Sequence, residues 1–304
     1  MAKPSSKRTR GVRVAVQKTY KLYVGGAFIR SESGRSYRAR AATGELATAN
    51  VARASRKDLR GAVVAARKAF PGWASRTAYL RSQILYRVAE MLEGRRAQFA
   101  SEIAATTPKT KGSIREAERE VTASIDRAVW YAGWADKYQT VLGSLNPVAA
   151  PYFNFSVAEP LGVVGVVAPD ERPLLGLVSA LFPVLASGNA AVVLVSEEAP
   201  LAALTFGEVL ATSDVPAGVV NLLAGERSEL LPHLAKHMDV DGILLATGDD
   251  AERKLVATEG AENLKRVRTL RPPAGADWDD GAAQSPLLIE PFVELKTIWH
   301  PIGV

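Results

Sequence analysis

The residue type that would say most about chemistry is missing: the 304 residues contain no cysteine. Thiolate nucleophiles, thiolate metal ligands and disulfides are excluded together. A serine nucleophile needs an activating base, and neither a Ser-His pairing nor a Gly-x-Ser-x-Gly elbow stands in the sequence. His233 and His237 in "PHLAKH" share a helix face and could be half a metal site, but no third ligand stands nearby at a clear spacing, so they read as the polar end of a helix. Asp249, Asp250 and Glu252 in "TGDDAE" could chelate a cation; at a helix start, capping is the simpler use of them. In "VVGVVAPDERPLLGLVSALFPVLASGNAAVVLVSEEAPL" one apolar run ends on Asp170, Glu171 and Arg172, and a second on Ser196 and Glu197. Such positions, just beyond the carboxyl ends of strands, are where an open α/β sheet meets its ligand.

The elements that must position these residues follow from periodicity. "YKLYVGGAFIRSESGRSY" reads as two short strands around a Gly25-Gly26 turn, with a second turn at Ser33-Gly34. "SRKDLRGAVVAARKAFPGW" predicts a helix capped by Ser55, apolar at Leu59, Val63, Ala66 and Phe70, and stopping at Pro71-Gly72. Two more helices follow, "TAYLRSQILYRVAEMLEGRRAQFASEIAATT" and "GSIREAEREVTASIDRAVWYAGWADKYQ", the second with a stripe from Ile114 through Val121 and Ile125 to Tyr131. "YFNFSV" alternates as a strand, with Phe153, Phe155 and Val157 on one side, and Asn146-Pro147 marks the turn of a hairpin. Continuous apolar strands at Val163 to Val167 and Ala191 to Val195, with a helix between them, suit the interior of a parallel sheet. The pattern repeats through "VVNLLAG" and "VDGILLA", giving a doubly wound α/β sheet of at least four parallel strands. After Leu270, "RPPAGADWDDGAAQSP" has a linker composition, and Val293, Leu295 and Trp299 alternate with Glu294, Lys296 and Ile298 in a last strand.

A hydrophobic content of 47% is enough for a large core, and no apolar run approaches the length of a membrane span. The net charge of +6 sits largely in Lys3, Lys7, Arg8, Arg10, Arg13, Lys18 and Lys21, which read as a solvated tail. No aromatic residue interleaves with these charges before Tyr20, so nucleic acid is not the expected partner. The N-terminus lacks the apolar core and cleavage site of a secretory leader, and a cytoplasmic location is expected.

Several stretches together resemble the aldehyde dehydrogenase superfamily: "YKLYVGGAF", "EVTASIDRAVWYAGWADK", "EPLGVVGVVAP", "LFPVLASGNAAVV", "VPAGVVNLLAG" and the closing "VELKTIWHPIG". The resemblance implies a Rossmann-like NAD or NADP domain with a small β oligomerisation element, and a chemistry that needs a cysteine, an oxyanion-holding Asn and a general base. Set against that pattern, Glu171 stands at the Asn position, where a carboxylate would repel a developing oxyanion. Leu194 replaces the lysine that meets the adenosine ribose, leaving only Ser196 and Glu197 of that motif. The glycine-rich phosphate loop is replaced by Thr247-Gly248-Asp249-Asp250-Ala251-Glu252, whose acids would cancel the positive end of their own helix. After "LKRVRTL", where the family's catalytic domain should begin, a short linker leads to the last strand.

The expectation is therefore a non-catalytic member with no catalytic residue and a vestigial cofactor site at Pro169, Ser196, Glu197 and Gly225, with NAD or NADP binding weak or lost. The expected organisation is a basic flexible tail (1–18), a cofactor-binding-like domain (19–141 and 159–270), a linker (271–285), and an oligomerisation hairpin and C-terminal strand (142–158 and 286–304). Exposed apolar residues at Phe153, Phe155, Val157, Val293, Leu295 and Trp299 point to assembly with itself or with a full-length aldehyde dehydrogenase. Two alternatives stay open: an NAD(P)-binding oxidoreductase component completed in trans, and a polyanion-binding scaffold using the basic tail.

Overall fold

A computed structural model of the chain describes residues 18–302 except 45, 109–111, 273, 275 and 276. The basic positions from Lys3 to Arg13 lie outside the described residues. Lys18 is described, and it packs over the Tyr20 ring at 4.4 Å while pairing with Glu208 at 3.4 Å.

The chain begins with short strands β1 (Thr19–Tyr20), β2 (Leu22–Val24), β3 (Ala27–Ile29), β4 (Ser36–Arg40) and β5 (Leu46–Ala52). Helices α1 (Arg56–Ala74), α2 (Ala78–Glu93), α3 (Arg96–Thr106), α4 (Ile114–Trp134) and α5 (Tyr138–Leu142) follow, then β6 (Ser144–Asn146) and β7 (Tyr152–Pro160). Alternation comes next: β8 (Val163–Val167), α6 (Leu175–Ala186), β9 (Ala190–Leu194), α7 (Pro200–Leu210), β10 (Val220–Leu223), α8 (Arg227–Lys236), β11 (Gly242–Leu245), α9 (Asp250–Gly260) and β12 (Arg266–Thr269). The last strand is β13 (Val293–Pro301).

The main sheet has the order β12-β11-β8-β9-β10-β2-β3. Its first five strands are parallel, and β2 and β3 extend it antiparallel through Leu222 opposite Tyr23. After β8 the chain winds one way to β9 and β10, then returns to β11 on the other side of β8, so the topological switch lies between β8 and β11. Every residue of β8 and β9 is buried, as continuous apolar strands covered on both faces must be. Helix α6 is buried all round, consistent with its lack of a polar face. The β1-β5-β4 and β13-β7-β6 sheets are separate three-stranded units.

Three expectations are corrected. Helix α1 does not stop at Pro71-Gly72 but continues to Ala74. Trp73 is fully buried and its Nε1 donates to the Leu185 carbonyl at 3.3 Å, so tertiary packing holds the last turn past the proline. The long helical stretch from Thr77 divides at Gly94-Arg95 into α2 and α3, and Ile114 at the start of the α4 stripe is exposed. The segment after Leu270 is not a free linker: Trp278, Ala283, Ile289 and Phe292 are buried. Arg127 on α4 anchors it, donating to the carbonyls of Trp278 (2.8 Å), Ala283 (3.2 Å) and Asp280 (3.3 Å) and to Ser179 Oγ (2.7 Å).

Candidate functional site

The strand ends on either side of the β8-β11 switch carry the residues that could touch a ligand. After β8, Pro169 is buried against α6, at a place where only Gly176 leaves room: a Cβ there would lie 2.2 Å from Pro169 Cγ. Asp170 turns toward β9 and β10. Its Oδ1 accepts from Ser196 Oγ (2.9 Å) and from the backbone N–H of Glu197 (2.9 Å) and Glu198 (3.3 Å). Arg227, at the start of α8, grips the same carboxylate with both guanidinium prongs, Nη1 to Oδ2 at 2.6 Å and Nη2 to Oδ1 at 2.9 Å, and also donates to the Ala168 carbonyl at 2.8 Å. Glu171 is exposed at the mouth. Arg172 adopts a left-handed backbone, φ 53°, and its buried guanidinium lies 3.6 Å from Asp277 and 3.5 Å from Asp279, so the segment after Leu270 is tied to this loop as well.

The helix starts around the crevice are already served by carboxylates of this chain. At α6, Glu120 Oε1 accepts from the N–H groups of Leu174 (2.9 Å) and Leu175 (3.3 Å). At α8, Glu197 Oε2 accepts from the Arg227 N–H at 3.1 Å. At α9, Asp249 Oδ1 accepts from Ala251 (2.7 Å) and Glu252 (3.4 Å), while Thr247 Oγ1 donates to Glu252 at 2.6 Å. A helix N-terminus binds phosphate through free N–H groups and its positive dipole end, and each carboxylate here consumes both.

One cavity of about 630 Å³ lies beside these strand ends, with Tyr37, Arg38, Arg40 and Arg53 facing Asp170, Glu197, Glu198 and Glu226, and with Gly225 on its wall. The buried Tyr37 hydroxyl finds no hydrogen-bond partner among the described residues. Burial pushes its pKa up; the nearby Glu197 charge adds to this and Arg53 opposes it. Arg53 reaches Glu226 and Glu229, each at 2.8 Å.

The structure therefore brings Glu197 and Gly225 to one cavity, whereas Ser196 is buried beneath it on Asp170 and Pro169 packs into the core. Gly225 serves close packing: a Cβ would meet Leu230 Cδ1 at 3.0 Å and the Ala54 carbonyl at 3.4 Å. Sequence reasoning missed the pairing of Asp170 with Arg227, 57 residues apart, and the part of Glu120. The one available signal was the charge at Asp170 itself, at the end of an apolar strand. His237 Nδ1 accepts from the Asp239 N–H at 3.2 Å, a turn contact, and no metal-binding group of acids and histidines occurs among the described residues.

The residues proposed for assembly divide between two faces of the β13-β7-β6 sheet. The register sets Leu295 opposite Ala158 and Trp299 opposite Asn154, whereas Phe155 lies opposite Ile298 and Phe153 opposite His300. Leu295 and Trp299 thus share a face with Asn154, and Phe153, Phe155 and Val157 occupy the other. Val293 is buried within the chain, with its own core.

No helix among the described residues is long and apolar enough to cross a membrane. The aldehyde dehydrogenase family model matches residues 28–270. The mitochondrial aldehyde dehydrogenase of Leishmania tarentolae is 34% identical over 81% of this chain and 49% of its own length. The mitochondrial aldehyde dehydrogenase family 2 member B4 of Arabidopsis thaliana is 33% identical over 81% of this chain and 45% of its own length. Among solved structures, a Bacillus cereus aldehyde dehydrogenase in complex with NAD+ superposes with a TM-score of 0.75 at 27% identity, over 83% of this chain and 50% of that one. PnpE from Pseudomonas sp. WBC-3 gives a TM-score of 0.77 at 30% identity, over 86% and 52%. The chain spans about half the length of the curated relatives it matches.

Proposed function

Because the chain belongs to the aldehyde dehydrogenase family, we propose that it is a non-catalytic subunit with a structural or regulatory role, assembling with itself or with a full-length aldehyde dehydrogenase. The observation that carries this reading is the occupation of the crevice by the chain's own charges. Glu120, Glu197 and Asp249 sit on the starts of α6, α8 and α9, and the Asp170–Arg227 pair closes the strand ends between them. A dinucleotide would bring its pyrophosphate to poles that carboxylates already neutralise, so these residues do not fit NAD or NADP. The lack of any cysteine removes the nucleophile, and the exposed Glu171 offers no donor to an oxyanion. The segment that Arg127 and Arg172 tie down lies against the same loop.

The test is calorimetric titration of the purified chain with NAD and NADP up to millimolar concentration, beside an assay with a panel of aldehydes. No saturation and no nicotinamide reduction are expected. Reduction of the cofactor by any aldehyde overturns the reading.

One feature favours a second reading, an NAD(P)-binding component completed in trans. The cavity of about 630 Å³ is open, and it presents Glu197, Gly225 and a buried unpartnered Tyr37 hydroxyl. Clear saturation by NAD or NADP in the same titration, without turnover, selects this reading over the first.

A further inference from the structure

We propose that the cavity of about 630 Å³ beside β4 binds a short peptide with both termini free, laid along the open edge of β4, its carboxylate on Arg38 and Arg40 and its ammonium on Glu197 and Glu198. This goes beyond the assembly role: it gives a regulatory subunit an effector, and it does not depend on what the chain assembles with.

Charges of both signs line this cavity without meeting. Arg38 and Arg40 come from β4, Glu197 and Glu198 from the loop after β9, and all four are exposed. The neighbouring charges are already satisfied, Asp170 by Arg227 at 2.6 Å and Glu226 by Arg53 at 2.8 Å. Among the described residues neither Arg38 nor Arg40 pairs with a carboxylate, and the Glu198 carboxylate pairs with no cation. Opposite charges that face each other across a gap without closing it suit a ligand with one charge of each sign at its two ends. An anion alone would meet the glutamates, and a cation alone the arginines.

The strand that carries the arginines favours a peptide over other zwitterions. β4 is an edge strand, paired with β5 alone. The Arg53 N–H donates to the Arg35 carbonyl at 3.0 Å, so that pair is hydrogen-bonded, and Tyr37 opposite Val51 continues the phase. Alternation then turns the N–H and C=O groups of Ser36 and Arg38 away from β5, toward the open edge. The Asn50 N–H, opposite Arg38, agrees with this phase: it donates at 3.2 Å to the Lys18 carbonyl, on the β1 side. Among the described residues nothing pairs with the Ser36 and Arg38 main-chain groups. Such an edge takes an added strand through main-chain hydrogen bonds. Arg38 and Arg40 blunt it against an apolar strand, and the same charges select one that ends in a carboxylate. Tyr37, on the cavity wall, holds a buried hydroxyl without a partner, and a peptide amide would supply one. The volume lies within the range of small-ligand sites.

The test is calorimetric titration of the unmodified chain with trialanine up to millimolar concentration, beside N-acetyl-trialanine, trialanine amide, inorganic phosphate and NAD. Trialanine is expected to saturate, and each blocked form to bind about tenfold or more weakly. Arg38→Ala/Arg40→Ala should bring trialanine down to the level of its amide while changing the amide little. Glu198→Gln should narrow the gap between trialanine and its N-acetyl form. These side chains are exposed, so the circular dichroism should stay unchanged. Tyr37→Phe, which deletes only the hydroxyl, should weaken trialanine about fivefold. Amide exchange at Ser36 and Arg38 should slow when trialanine is bound. No saturation by trialanine, equal binding of the blocked forms, or unchanged exchange at Ser36 and Arg38 overturns the site. Saturation by NAD or phosphate without saturation by trialanine also overturns it and assigns the cavity to an anion. None of these failures touches the assembly role, which the mass of the complex reads separately.

Discussion

Asp170 and Arg227 meet as a two-pronged ion pair, with contacts of 2.6 and 2.9 Å, across the end of β9. One residue follows β8 and the other follows β10, strands that are not neighbours, and Ser196 after the intervening β9 donates to the same carboxylate. Three strand ends are thereby tied into one crest on the carboxyl side of the sheet, next to the β8-β11 switch where an open α/β sheet ordinarily meets its ligand.

Truncation of Arg227 to alanine strands the Asp170 carboxylate, whose side chain is only 26% exposed. A loss of about 2–3 kcal/mol in urea denaturation is expected, and the double variant Asp170→Ala/Arg227→Ala should lose less than the sum of the single variants. A coupling energy below about 0.5 kcal/mol in this cycle would mean that the pair does not hold the crest.

Burial raises the pKa of Glu102 above its ordinary 4.5, against hydrogen bonds from Tyr20 and Gln98 and the charge of Lys18, which pull the other way. A carboxyl with a raised folded-state pKa favours folding below its unfolded pKa and loses that contribution as pH rises through the folded value. Wild-type stability should therefore carry a falling component on going upward from about pH 4.5. Glu102→Gln should remove it, which paired urea midpoints from about pH 4 to pH 8 would read.

Arg127→Ala should loosen the segment from Trp278 to Phe292, because four acceptors on that segment and on α6 share one guanidinium. Hydrogen exchange should accelerate there while β8 and β9 keep their protection. Arg127→Lys should rescue little, since a single ammonium cannot span the same fork. Uniform acceleration across the main sheet would mean that Arg127 supports the whole core.

Gly176→Ala puts a methyl 2.2 Å from Pro169 Cγ and 3.3 Å from the Glu171 carbonyl. The loop must move, at about 1–3 kcal/mol. Thermal unfolding should fall accordingly, whereas Gly248→Ala, where a Cβ meets nothing within 4 Å, serves as a control with little change.

How much of this was legible depended on how local each signal was. The runs Val163 to Val167 and Ala191 to Val195 announced buried parallel strands because every residue in them is covered, and the Ser55 cap announced α1 because its partners, the N–H groups of Lys57 and Asp58, are two and three residues away. The stop expected at Pro71 failed because the proline's local cost was met by Trp73, anchored to a carbonyl 112 residues further along. The Pro, Gly and Asp residues after Leu270 looked like a linker, and the composition gave no hint that Arg127 would gather their carbonyls.

By itself the sequence determined the alternation of strands and helices and the lack of any thiol in these residues, since hydrophobic period and residue identity are properties of neighbours along the chain. Only the tertiary structure decided that Glu120 would cap a helix 54 residues away, that Asp170 would find Arg227, and that Leu295 and Trp299 would part from Phe153 and Phe155 onto opposite faces of one sheet. Capping and ion pairing act over a few ångströms through space, and strand register fixes which side chains share a face; chain separation encodes neither.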